Sequence, residues 1–518
     1  MAVADANITA RLAERAVRHP DRLAIADSSS RLTFGELYEQ VTRVGGALRQ
    51  AGVGPGDRVL VFVPMSTELY VVLLGVLHAG AVAVFVDAWA NRRRLEAAVR
   101  AASPKAFIGS RKAQLLRLLS GAVRRIPLAF TPRRLLGSDA AALPATAVAP
   151  AAPALVTFTT GTTGAPKAAE RTHGFLVAQH EALAAHLHLT EADVDMPTLP
   201  VFVLNNLATG VASVIPDADP RRPAEIDPRR VYGQILTEGV TTSSGSPAFY
   251  ERLAEWCEMS DRQLPLRAVF TGGAPVLPPL AARLRDVVKG TAHIVYGSTE
   301  AEPISGITAG AMVDAANDGE GVCVGVPVAQ VKLKLIRPTD EPIALGAAGW
   351  VEWEVAAGDA GEIVVAGDHV LRGYIGDPEA ERRNKIRDGD IVWHRTGDAA
   401  RLDREGRIWL LGRVRERHVR DGRTWWPLPA EVRSLAVKGI AHAAYVAMPA
   451  SMGEPKAVLC VEGDPADAER LTREATAAVA PWPVDEVRVL QRIPRDPRHA
   501  SKTDLETLRA MLKRKTGR

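Results

Sequence analysis

A loop rich in threonine and glycine has the composition of an anion-binding site. The segment TFTTGTTGAPKAAERTHG, residues 157–174, contains six threonines, three glycines and Lys167. Glycines leave backbone N–H groups free to turn toward phosphate oxygens, while hydroxyls and an ammonium group add donors and charge. The spacing GxxGxxK, with alanine after the lysine, differs from the GxxxxGK[ST] pattern of ordinary nucleotide P-loops. The loop therefore predicts a phosphate site of another type, with a plain turn as the alternative.

Four further motifs follow the loop. They are YGSTE at 296–300, TGD at 396–398, GR at 412–413 and PRDPRHASK at 494–502. Taken singly, Asp398 could close a turn, Arg413 could be a surface residue and Lys502 could be one more exposed lysine. Their joint occurrence, in this order after the loop, favours a functional site.

This set of motifs resembles the acyl-adenylate-forming (AMP-binding) superfamily, which includes acyl- and aryl-CoA synthetases, peptide-synthetase adenylation domains and luciferases. The resemblance covers nearly the whole chain. It implies an ATP-dependent ligase in which a carboxylate and MgATP give an acyl-adenylate and pyrophosphate. No covalent enzyme intermediate is needed, which agrees with the absence of a GxSxG elbow from the sequence.

The resemblance also assigns roles to individual residues. Thr299 would contact the α-phosphate, Glu300 would hold Mg²⁺, and Lys502 would stabilise charge at the reacting carboxylate and phosphate. Asp398 would accept the ribose hydroxyls beside Arg413. The remaining nucleotide-binding residues implied are Thr159, Thr160, Gly161, Thr162, Thr163, Gly164, Lys167, Gly272, Gly273, Ala274, Pro275, Tyr296, Gly297 and Ser298.

The segment MPTLPVFVLNNLATGVASVIPD, residues 196–217, lies where the superfamily lines its acyl pocket. It is apolar apart from a few polar side chains, Asn205 and Asn206 among them, so it predicts a hydrophobic acid as substrate. Phe202 and Gly245 complete the predicted pocket. The alternative is that these residues form a core helix and strand, with the pocket elsewhere.

Within the superfamily, the sequence is most similar to the olefin-biosynthesis β-lactone synthetases and related fatty-acid ligases. The stretches that carry this similarity include VFVDAWANRRRLEAAV, YGSTEAEPIS, WHRTGD and IPRDPRHASK. The similarity implies that the hydroxyl of a long-chain β-hydroxy acid displaces AMP to close a β-lactone. Transfer to the thiol of CoA or an acyl-carrier protein is the alternative, and a degenerate nucleotide-binding subunit is a third. Trp425 and Trp426 could narrow a pantetheine channel or cover a domain interface.

Strand-like and helical segments alternate along the first three hundred residues, which predicts an α/β body with wound, mostly parallel sheets. VKLKLI, WVEWEV, GEIVVAG, AARLD and RIWLLG then predict a small antiparallel, barrel-like subdomain. We expect an N-terminal adenylate-forming domain over 1–412 and a small mobile α/β domain over 413–518. Arg415 would be the hinge that lets Lys502 approach and withdraw.

Composition excludes several classes of protein. With 64 basic and 60 acidic residues, the net charge of +4 argues against dedicated nucleic-acid binding. The short basic runs at 92–94 and 124–125 favour solvated helix faces over an anion or partner site. Residues 69–86 read as a buried helix and strand rather than a membrane span. Three cysteines without CxxC spacing and no signal peptide predict a cytoplasmic enzyme, with pathway enzymes as partners.

Overall fold

The computed structural model describes residues 6–86, 92–160, 166–316, 320–448, 455–496 and 501–515. The strands are β1 (Leu23–Ala26), β2 (Arg31–Thr33), β3 (Arg58–Phe62), β4 (Val82–Phe85), β5 (Ala106–Gly109), β6 (Leu128–Phe130), β7 (Pro153–Thr160), β8 (Pro166–Thr172), β9 (Val194–Pro197), β10 (Ala212–Val214), β11 (Thr242–Gly245), β12 (Ala268–Gly272), β13 (Thr291–Ser298), β14 (Ala301–Thr308), β15 (Val322–Cys323), β16 (Val326–Pro327), β17 (Lys332–Ile336), β18 (Gly361–Ala366), β19 (Tyr374–Ile375), β20 (Lys385–Asp388), β21 (Ile391–Leu402), β22 (Ile408–Arg413), β23 (His418–Arg420), β24 (Arg423–Trp425), β25 (His442–Met448), β26 (Lys456–Glu462) and β27 (Glu486–Leu490).

The helices are α1 (Thr9–Arg18), α2 (Phe34–Gln50), α3 (Thr67–His78), α4 (Arg92–Ala102), α5 (Leu116–Leu119), α6 (Gly121–Arg124), α7 (Pro132–Leu136), α8 (His173–Leu187), α9 (Pro200–Thr209), α10 (Pro228–Thr237), α11 (Pro247–Met259), α12 (Pro278–Val287), α13 (Ala309–Ala315), α14 (Pro378–Asn384), α15 (Pro427–Ser434), α16 (Ala468–Ala478) and α17 (Leu505–Lys515). Short 3-10 helices lie at Ala113–Leu115, Pro223–Glu225, Gly349–Glu352, Val414–Glu416 and Pro465–Asp467.

Two large sheets form the body. The seven-stranded sheet has the order β19-β8-β7-β4-β3-β5-β6 and is parallel from β7 to β6. The nine-stranded sheet has the order β16-β14-β13-β12-β11-β9-β10-β1-β2 and is parallel from β13 to β1. The predicted wound α/β architecture is confirmed, and the apolar stretch 69–86 is a buried helix, α3, followed by the buried strand β4.

Helices α2 and α3 lie between the two sheets. Val41 of α2 and Leu73 of α3 share one core with Ile25 of the nine-stranded sheet and Val59 of the seven-stranded sheet. Polar residues fix where α2 begins, because Thr33 and Glu36 form a reciprocal capping box there. This common core holds the two sheets, and the loops at their edges, in a fixed relation.

The third sheet is antiparallel, as predicted, but open rather than barrel-shaped in the described residues. Its order is β15-β22-β21-β18-β17, with β20 also paired to β21. The segment WVEWEV, residues 350–355, is predicted to be a strand, but its first three residues belong to the 3-10 helix Gly349–Glu352, and only Glu354 then bridges Ile336 of β17 in antiparallel fashion. Trp350 packs edge-on against Trp393, and Arg337 N donates to Trp353 O. This turn therefore covers the free edge of β17, where a closed barrel would need a strand.

The chain after β22 forms a smaller α/β unit. Strands β25, β26 and β27 make a three-stranded sheet. Tyr445 and Leu459 face α15 and α16, whereas Ala444 and Cys460 face α17, as strand alternation requires. The sheet therefore has a core on each face.

Two findings bear on cellular context. Within the described ranges, no helix combines the length and apolar character needed to cross a bilayer. Cys257, Cys323 and Cys460 are free and buried. Burial raises the pKa of the Cys257 thiol to about 11 and that of Cys460 to about 12, so both are protonated at neutral pH and serve as packing groups.

Candidate active site

Asp398 lies in a hydrogen-bonded group that joins two sheets. It is the cross-strand partner of Arg413, whose Nε lies 3.1 Å from Asp398 Oδ1. The phenol of Tyr296, at the end of β13, donates to Asp398 Oδ2 over 2.8 Å. Burial and the nearby carboxylate raise the pKa of Tyr296 well above its usual value, so the phenol stays protonated. Three residues predicted to bind nucleotide therefore meet at one point.

Beside this group, two glycines allow the backbone after β12 to turn and to lie close to the neighbouring strand β13. Gly272 is the cross-strand partner of Val295, and a Cβ on Gly272 would lie 2.4 Å from the carbonyl oxygen of Val295. Gly273 has a φ of +77°, in the left-handed region that glycine adopts without strain. The chain therefore turns at the carboxyl end of β12, next to Tyr296, and presents Ala274 and Pro275 at the surface. This position beside Tyr296 is compatible with the family resemblance, which assigns residues 272–275 to the adenine; that contact stays a prediction.

A tight turn between β13 and β14 carries the two residues predicted to act near the phosphates. Ser298 pairs with Ala301 across the strands, which leaves Thr299 and Glu300 at the tip. The backbone N–H of Glu300 lies 3.3 Å from Ser298 Oγ, its acceptor. A Cβ on Gly297 would lie 2.9 Å from the carbonyl oxygen of Ala301, so the turn needs glycine there.

Arg171 connects this turn to the threonine-rich hairpin and was missed by sequence reasoning. Its guanidinium donates to Thr157 Oγ1 over 2.6 Å and to the carbonyl oxygen of Thr299 over 2.6 Å. Arg171 is 6% exposed, and burial lowers its pKa, opposed by Glu300 and Glu302. Burial in turn raises the pKa of Glu302 to about 7, an effect that Arg171 reduces. The positive charge of Arg171 thus lies between Thr157 of the hairpin and the backbone of Thr299.

The loop itself is described in part. In the β7–β8 hairpin, Thr159 pairs with Lys167 and Thr160 with Pro166. The predicted phosphate contacts Gly161, Thr162, Thr163 and Gly164 lie outside the described residues. The side chains of Thr159 and Thr160 are also outside the description, so these six assignments stay predictions.

Tyr374 lies between two lysines at the mouth of this hairpin. The ammonium nitrogens of Lys167 and Lys385 lie 5.4 Å and 5.3 Å from the centre of its ring, within cation–π range. The Tyr374 hydroxyl donates to Glu300 Oε1 over 3.2 Å. Burial lowers the pKa of Lys167, and Glu300 opposes that effect. Glu300, Tyr374 and the two lysines form a cluster of ionisable side chains, of which sequence reasoning identified only Glu300 and Lys167.

Lys385 is a buried lysine of this cluster whose pKa is strongly lowered. It is 5% exposed, and its ammonium donates to the carbonyl oxygen of Leu371. Burial lowers the pKa of Lys385 to about 7, opposed by Glu300 and Glu381. The neighbouring His394 is also buried, and its pKa is lowered well below its usual range.

Lys385→Met is expected to raise the free energy of unfolding at pH 7 by on the order of 2 kcal/mol. Between pH 7 and about 10 the unfolded chain binds more protons at Lys385 than the folded chain does, so wild-type stability rises with pH. The advantage of the variant should therefore fade as pH rises toward 10 in urea titrations. Lys332→Met, at an exposed position, is the control. A gain that does not change with pH would contradict the assignment of a depressed pKa.

The predicted acyl-pocket residues are buried. Phe202 is 3% exposed and shares a core with Phe270 and Val295 of the nine-stranded sheet. Asn205 is also 3% exposed; its Oδ1 lies 2.9 Å from His180 Nδ1, while its Nδ2 has no partner among the described atoms. Gly245 is needed at the end of β11, because a Cβ there would lie 2.6 Å from Thr198 Oγ1. Their role in the pocket stays a prediction.

Asn206 belongs to an interior polar network. It is fully buried, and its Nδ2 donates to Asp195 Oδ2 over 2.8 Å and to Ser213 Oγ over 3.1 Å. Asp195 also accepts from the hydroxyls of Thr242 and Ser244. Burial raises the pKa of Asp195. This network ties α9 to the sheet and favours the core interpretation of Asn206 over a substrate contact.

The predicted hinge residue lies next to a contact with the last helix. Arg415 is in the 3-10 helix Val414–Glu416, and its side chain is 52% exposed. Its neighbour Glu416 is 9% exposed and forms an ion pair with Arg509 of α17. The segment after β22 is thus connected to the end of the chain through a buried carboxylate.

Lys502 lies on a short segment beside the three-stranded sheet. The backbone N–H of Asp496 donates to the carbonyl oxygen of Lys502 over 2.7 Å. Thr503 Oγ1 lies 2.9 Å from His442 Nε2 of β25. The backbone that carries Lys502 is therefore held against the C-terminal sheet by hydrogen bonds.

Trp425 and Trp426 are packing residues. Trp426 is 8% exposed and packs with Leu411 and Val414, next to the end of β22. Trp425 packs edge-on against Trp482, with the ring centres 5.6 Å apart. The contacts of Trp426 match the interface interpretation, whereas Trp425 packs within the C-terminal unit. Neither set of contacts supports the idea that these residues narrow a pantetheine channel.

Comparison with known proteins identifies the family. The model for the family described as AMP-binding enzyme matches residues 12–375. Olefin beta-lactone synthetase from Stenotrophomonas maltophilia (strain K279a) is 33% identical, covering 97% of each chain. The protein of the same name from Xanthomonas campestris pv. campestris is 32% identical, covering 97% of this chain and 96% of its own. Feruloyl-CoA synthase from Amycolatopsis sp is 29% identical over 84% of each chain.

Solved structures show the same fold. ATP-bound MatB from Rhodopseudomonas palustris has a TM-score of 0.83 at 21% identity, covering 98% of this chain and 99% of its own. Amide bond synthetase McbA from Marinactinospora thermotolerans has a TM-score of 0.80 at 22% identity, with the same coverage. Together with the family match over most of the chain, these similarities establish that the chain belongs to the AMP-binding enzyme family and is an acyl-adenylate-forming enzyme.

Proposed function

We propose that the enzyme uses ATP to activate a long-chain β-hydroxy acid as its acyl-adenylate, and then closes the acid into a β-lactone. The observation that carries this proposal is the similarity, over nearly the full length, to two proteins named olefin beta-lactone synthetase. The polar groups around Asp398 and Glu300 support the first step. The apolar segment 196–217 supports a hydrophobic acid.

In the first step, a carboxylate oxygen forms a bond to the α-phosphorus of ATP, and the bond from that phosphorus to the bridging oxygen breaks. Pyrophosphate leaves. Asp398, held by Tyr296 and Arg413, would accept the ribose hydroxyls and so fix the α-phosphate in line with the acid. Lys167 and Arg171 would oppose the negative charge of the phosphates.

The residues at the β13–β14 turn fit a magnesium ion. Glu300 offers a carboxylate, the ligand that hard cations prefer, and Tyr374 orients it through a hydrogen bond. Among the described residues, no group of three or more metal-ligating side chains could hold a metal by itself. Phosphate oxygens and water would therefore complete the coordination. When bound, Mg²⁺ would neutralise charge on the phosphates.

In the second step, the β-hydroxyl oxygen of the acid attacks the acyl carbon. The bond from that carbon to the phosphate oxygen breaks, AMP leaves, and the hydroxyl proton is released. The overall change is acid plus ATP to lactone, AMP and pyrophosphate, and no thiol is consumed. CoA would be a substrate only in the alternative reaction, transfer of the acyl group to its thiol. The similarity to a feruloyl-CoA synthase supports that alternative.

We further propose that residues 1–412 and 413–518 are separate domains and that the second one moves. The two cores formed by the C-terminal sheet contain only residues after 424, which supports this division. A cytoplasmic location is supported by the three free, buried cysteines. Enzymes that supply the hydroxy acid or consume the lactone would be its pathway partners.

Arg415→Pro is expected to change the ratio of the two half-reaction rates by at least about tenfold, because proline restricts the backbone at the proposed hinge. Pyrophosphate exchange into ATP measures the first half-reaction, and AMP release from preformed acyl-adenylate measures the second. Arg415→Ala, which leaves the backbone free, is the control. An unchanged ratio in the proline variant would remove the hinge assignment.

Mass spectrometry of the products tests the function. The enzyme is supplied with MgATP and a long-chain β-hydroxy acid, with and without CoA. A dehydrated acid and AMP formed without CoA are expected, and proton NMR distinguishes the strained ring from the isomeric unsaturated acid. The matched fatty acid without the hydroxyl should give acyl-adenylate but no dehydrated product.

Two results would contradict the proposal. Acyl-CoA that forms only when CoA is present would make the protein a fatty acyl-CoA ligase. No pyrophosphate exchange with any hydrophobic acid would instead indicate a degenerate nucleotide-binding subunit.

A further inference from the structure

One edge of the N-terminal body concentrates positive charge. Residues 92–134 contain twelve lysines and arginines and one acidic residue, Glu96. Their net charge is therefore +11, against +4 for the whole chain, so the rest of the protein carries a net charge of −7. We call the surface formed by residues 92–134 the basic edge. Such an uneven distribution marks an interaction surface that the overall charge conceals.

The basic edge has a defined structure. It comprises α4, the edge strand β6 with its neighbour β5, and the short helices α5, α6 and α7. The carboxylate of Glu96 is already engaged, because it lies 3.0 Å from Arg92 Nε and accepts a hydrogen bond from Ser120 Oγ. Lys105 pairs with Asp57. Local acids therefore neutralise only a small part of the charge.

Ten cations remain, of which Arg100 also pairs with Glu96 and at least half have no carboxylate partner among the described residues. Within the described residues, five of them lie beyond ion-pair distance of any carboxylate: Arg111, Lys112, Arg117, Arg124 and Arg125. A groove of about 460 Å³ between α4 and α6 is lined in part by Arg92, Arg100 and Arg125. Glu96 also lines this groove and pairs with Arg92 and Arg100, so among the described residues Arg125 is the guanidinium of the groove that could meet a phosphate group.

Three leucines project from the same surface. Leu115, Leu118 and Leu119 are 56%, 75% and 63% exposed, whereas the other exposed large apolar side chains of the described residues occur singly along the chain. The segment is not loosely attached: Gln114 Nε2 donates to the carbonyl oxygens of Gly109 and Phe130 over 3.2 and 2.7 Å. Leucines held in water by a fixed backbone mark a contact surface.

We propose that the basic edge docks the enzyme on the surface of an anionic phospholipid bilayer. Arginines and lysines would contact lipid phosphates, while the three leucines would enter the boundary between headgroups and acyl chains. Nucleic acid would match the charge but would leave the leucines in water. Docking of this type needs no spanning helix, and it is independent of which reaction follows adenylation.

Co-sedimentation of the full-length enzyme with lipid vesicles tests the proposal. Vesicles of phosphatidylcholine alone are compared with vesicles that also contain phosphatidylglycerol, at low and at high salt. At least about tenfold tighter binding to the anionic vesicles is expected at low salt, with a marked loss at high salt. Equal binding to both types of vesicle, or binding to neither, would overturn the proposal.

Matched variants separate the two contributions. Leu118→Ser with Leu119→Ser removes apolar contact, and Val17→Ser with Val351→Ser is its control at positions 84% and 89% exposed. Arg124→Glu with Arg125→Glu reverses two charges on the basic edge. Its control, Arg229→Glu with Lys289→Glu, reverses two exposed charges outside the basic edge. Each variant of the basic edge should lose at least about tenfold in vesicle affinity, and neither control should.

Thermal melts establish that the four variants are folded, since all eight positions are at the surface. If both variants of the basic edge bind vesicles like the wild type, the docking surface is wrong. If the wild type does not bind vesicles, and the basic-edge variants instead lose affinity for duplex DNA, the surface binds nucleic acid and the proposal fails.

Discussion

Replacing Lys502 with alanine is expected to slow acyl-adenylate formation by about 10²- to 10³-fold, the scale for losing one preorganised charge contact in a transition state. Negative charge builds on the α-phosphate as the carboxylate attacks, and the Lys502 ammonium would be the group that meets it there. The rate of pyrophosphate exchange into ATP measures this step. ATP affinity should change little, because the residues proposed to bind ATP, Asp398, Tyr296 and Lys167, all lie in the proposed N-terminal domain.

The control for Lys502 comes from the same part of the chain. Lys438→Ala removes an exposed lysine of the C-terminal unit and should leave exchange unchanged. If Lys502 acts only in the first half-reaction, Lys502→Ala should still release AMP from acyl-adenylate supplied directly. Exchange close to the wild-type rate would exclude Lys502 as the group that stabilises the first transition state.

Motif order predicted the family, and several of the motif residues, which lie at strand ends, do come together in the structure. Asp398 and Arg413 are fifteen residues apart, but a hairpin makes them cross-strand partners. Tyr296 comes from another sheet, and only the family resemblance linked it to Asp398. The alternation of apolar and polar residues predicted many of the strands. Contacts between strands more than a hundred residues apart, such as those of Tyr296 and Asp398, depend on tertiary packing.

The residues that sequence reasoning missed had weak or misleading signals. Alternation along β8 places Lys167 and Arg171 on one face, which would have identified Arg171. Lys385 stands in the charged run ERRNKIRDGD, which reads as surface, yet it is almost fully buried. The alternation in WVEWEV predicts a strand, but its tryptophans are three residues apart, a spacing that suits one 3-10 turn.

The acyl-pocket prediction shows the limit of composition. Asn205 and Asn206 are neighbours on α9, so they point in different directions and have different partners. Asn206 contributes to a network with a buried carboxylate, whereas Asn205 meets His180. The sequence shows that both residues carry an amide. Which of the two amides can face a ligand depends on how α9 is oriented in the fold, and composition does not give that orientation.

The largest stability effect is expected at Arg395, in the strand that carries Asp398. Arg395 and Glu362 form a buried ion pair at 2.6 Å, with side chains 8% and 2% exposed. The guanidinium also donates to the carbonyl oxygens of Thr339 and Glu341. Arg395→Leu should lower the free energy of unfolding by about 3–5 kcal/mol, because it leaves the carboxylate of Glu362 buried without its partner.

Two controls test whether the loss comes from the isolated charge. Arg401→Leu, on the same strand, replaces a half-buried arginine that lies over Trp409, and should cost no more than about 1 kcal/mol. The double variant Glu362→Leu with Arg395→Leu should recover much of the loss, since it removes the carboxylate as well. Urea midpoints compare the variants. A double variant no more stable than Arg395→Leu would attribute the loss to packing instead.

The pH dependence of Arg395→Leu follows from the same charge. Burial raises the pKa of Glu362 even in the presence of Arg395. Without the arginine, the folded protein would hold a proton on Glu362 at pH values where the unfolded chain has lost it, so stability falls as pH rises. The deficit relative to wild type should therefore be smaller at pH 5 than at pH 8. An equal deficit at both pH values would show that Glu362 binds the same number of protons in the folded and unfolded variant, and so stays ionised without Arg395. Because Asp398 follows Arg395 by three residues on β21, a strand loosened at pH 8 should also bind ATP more weakly.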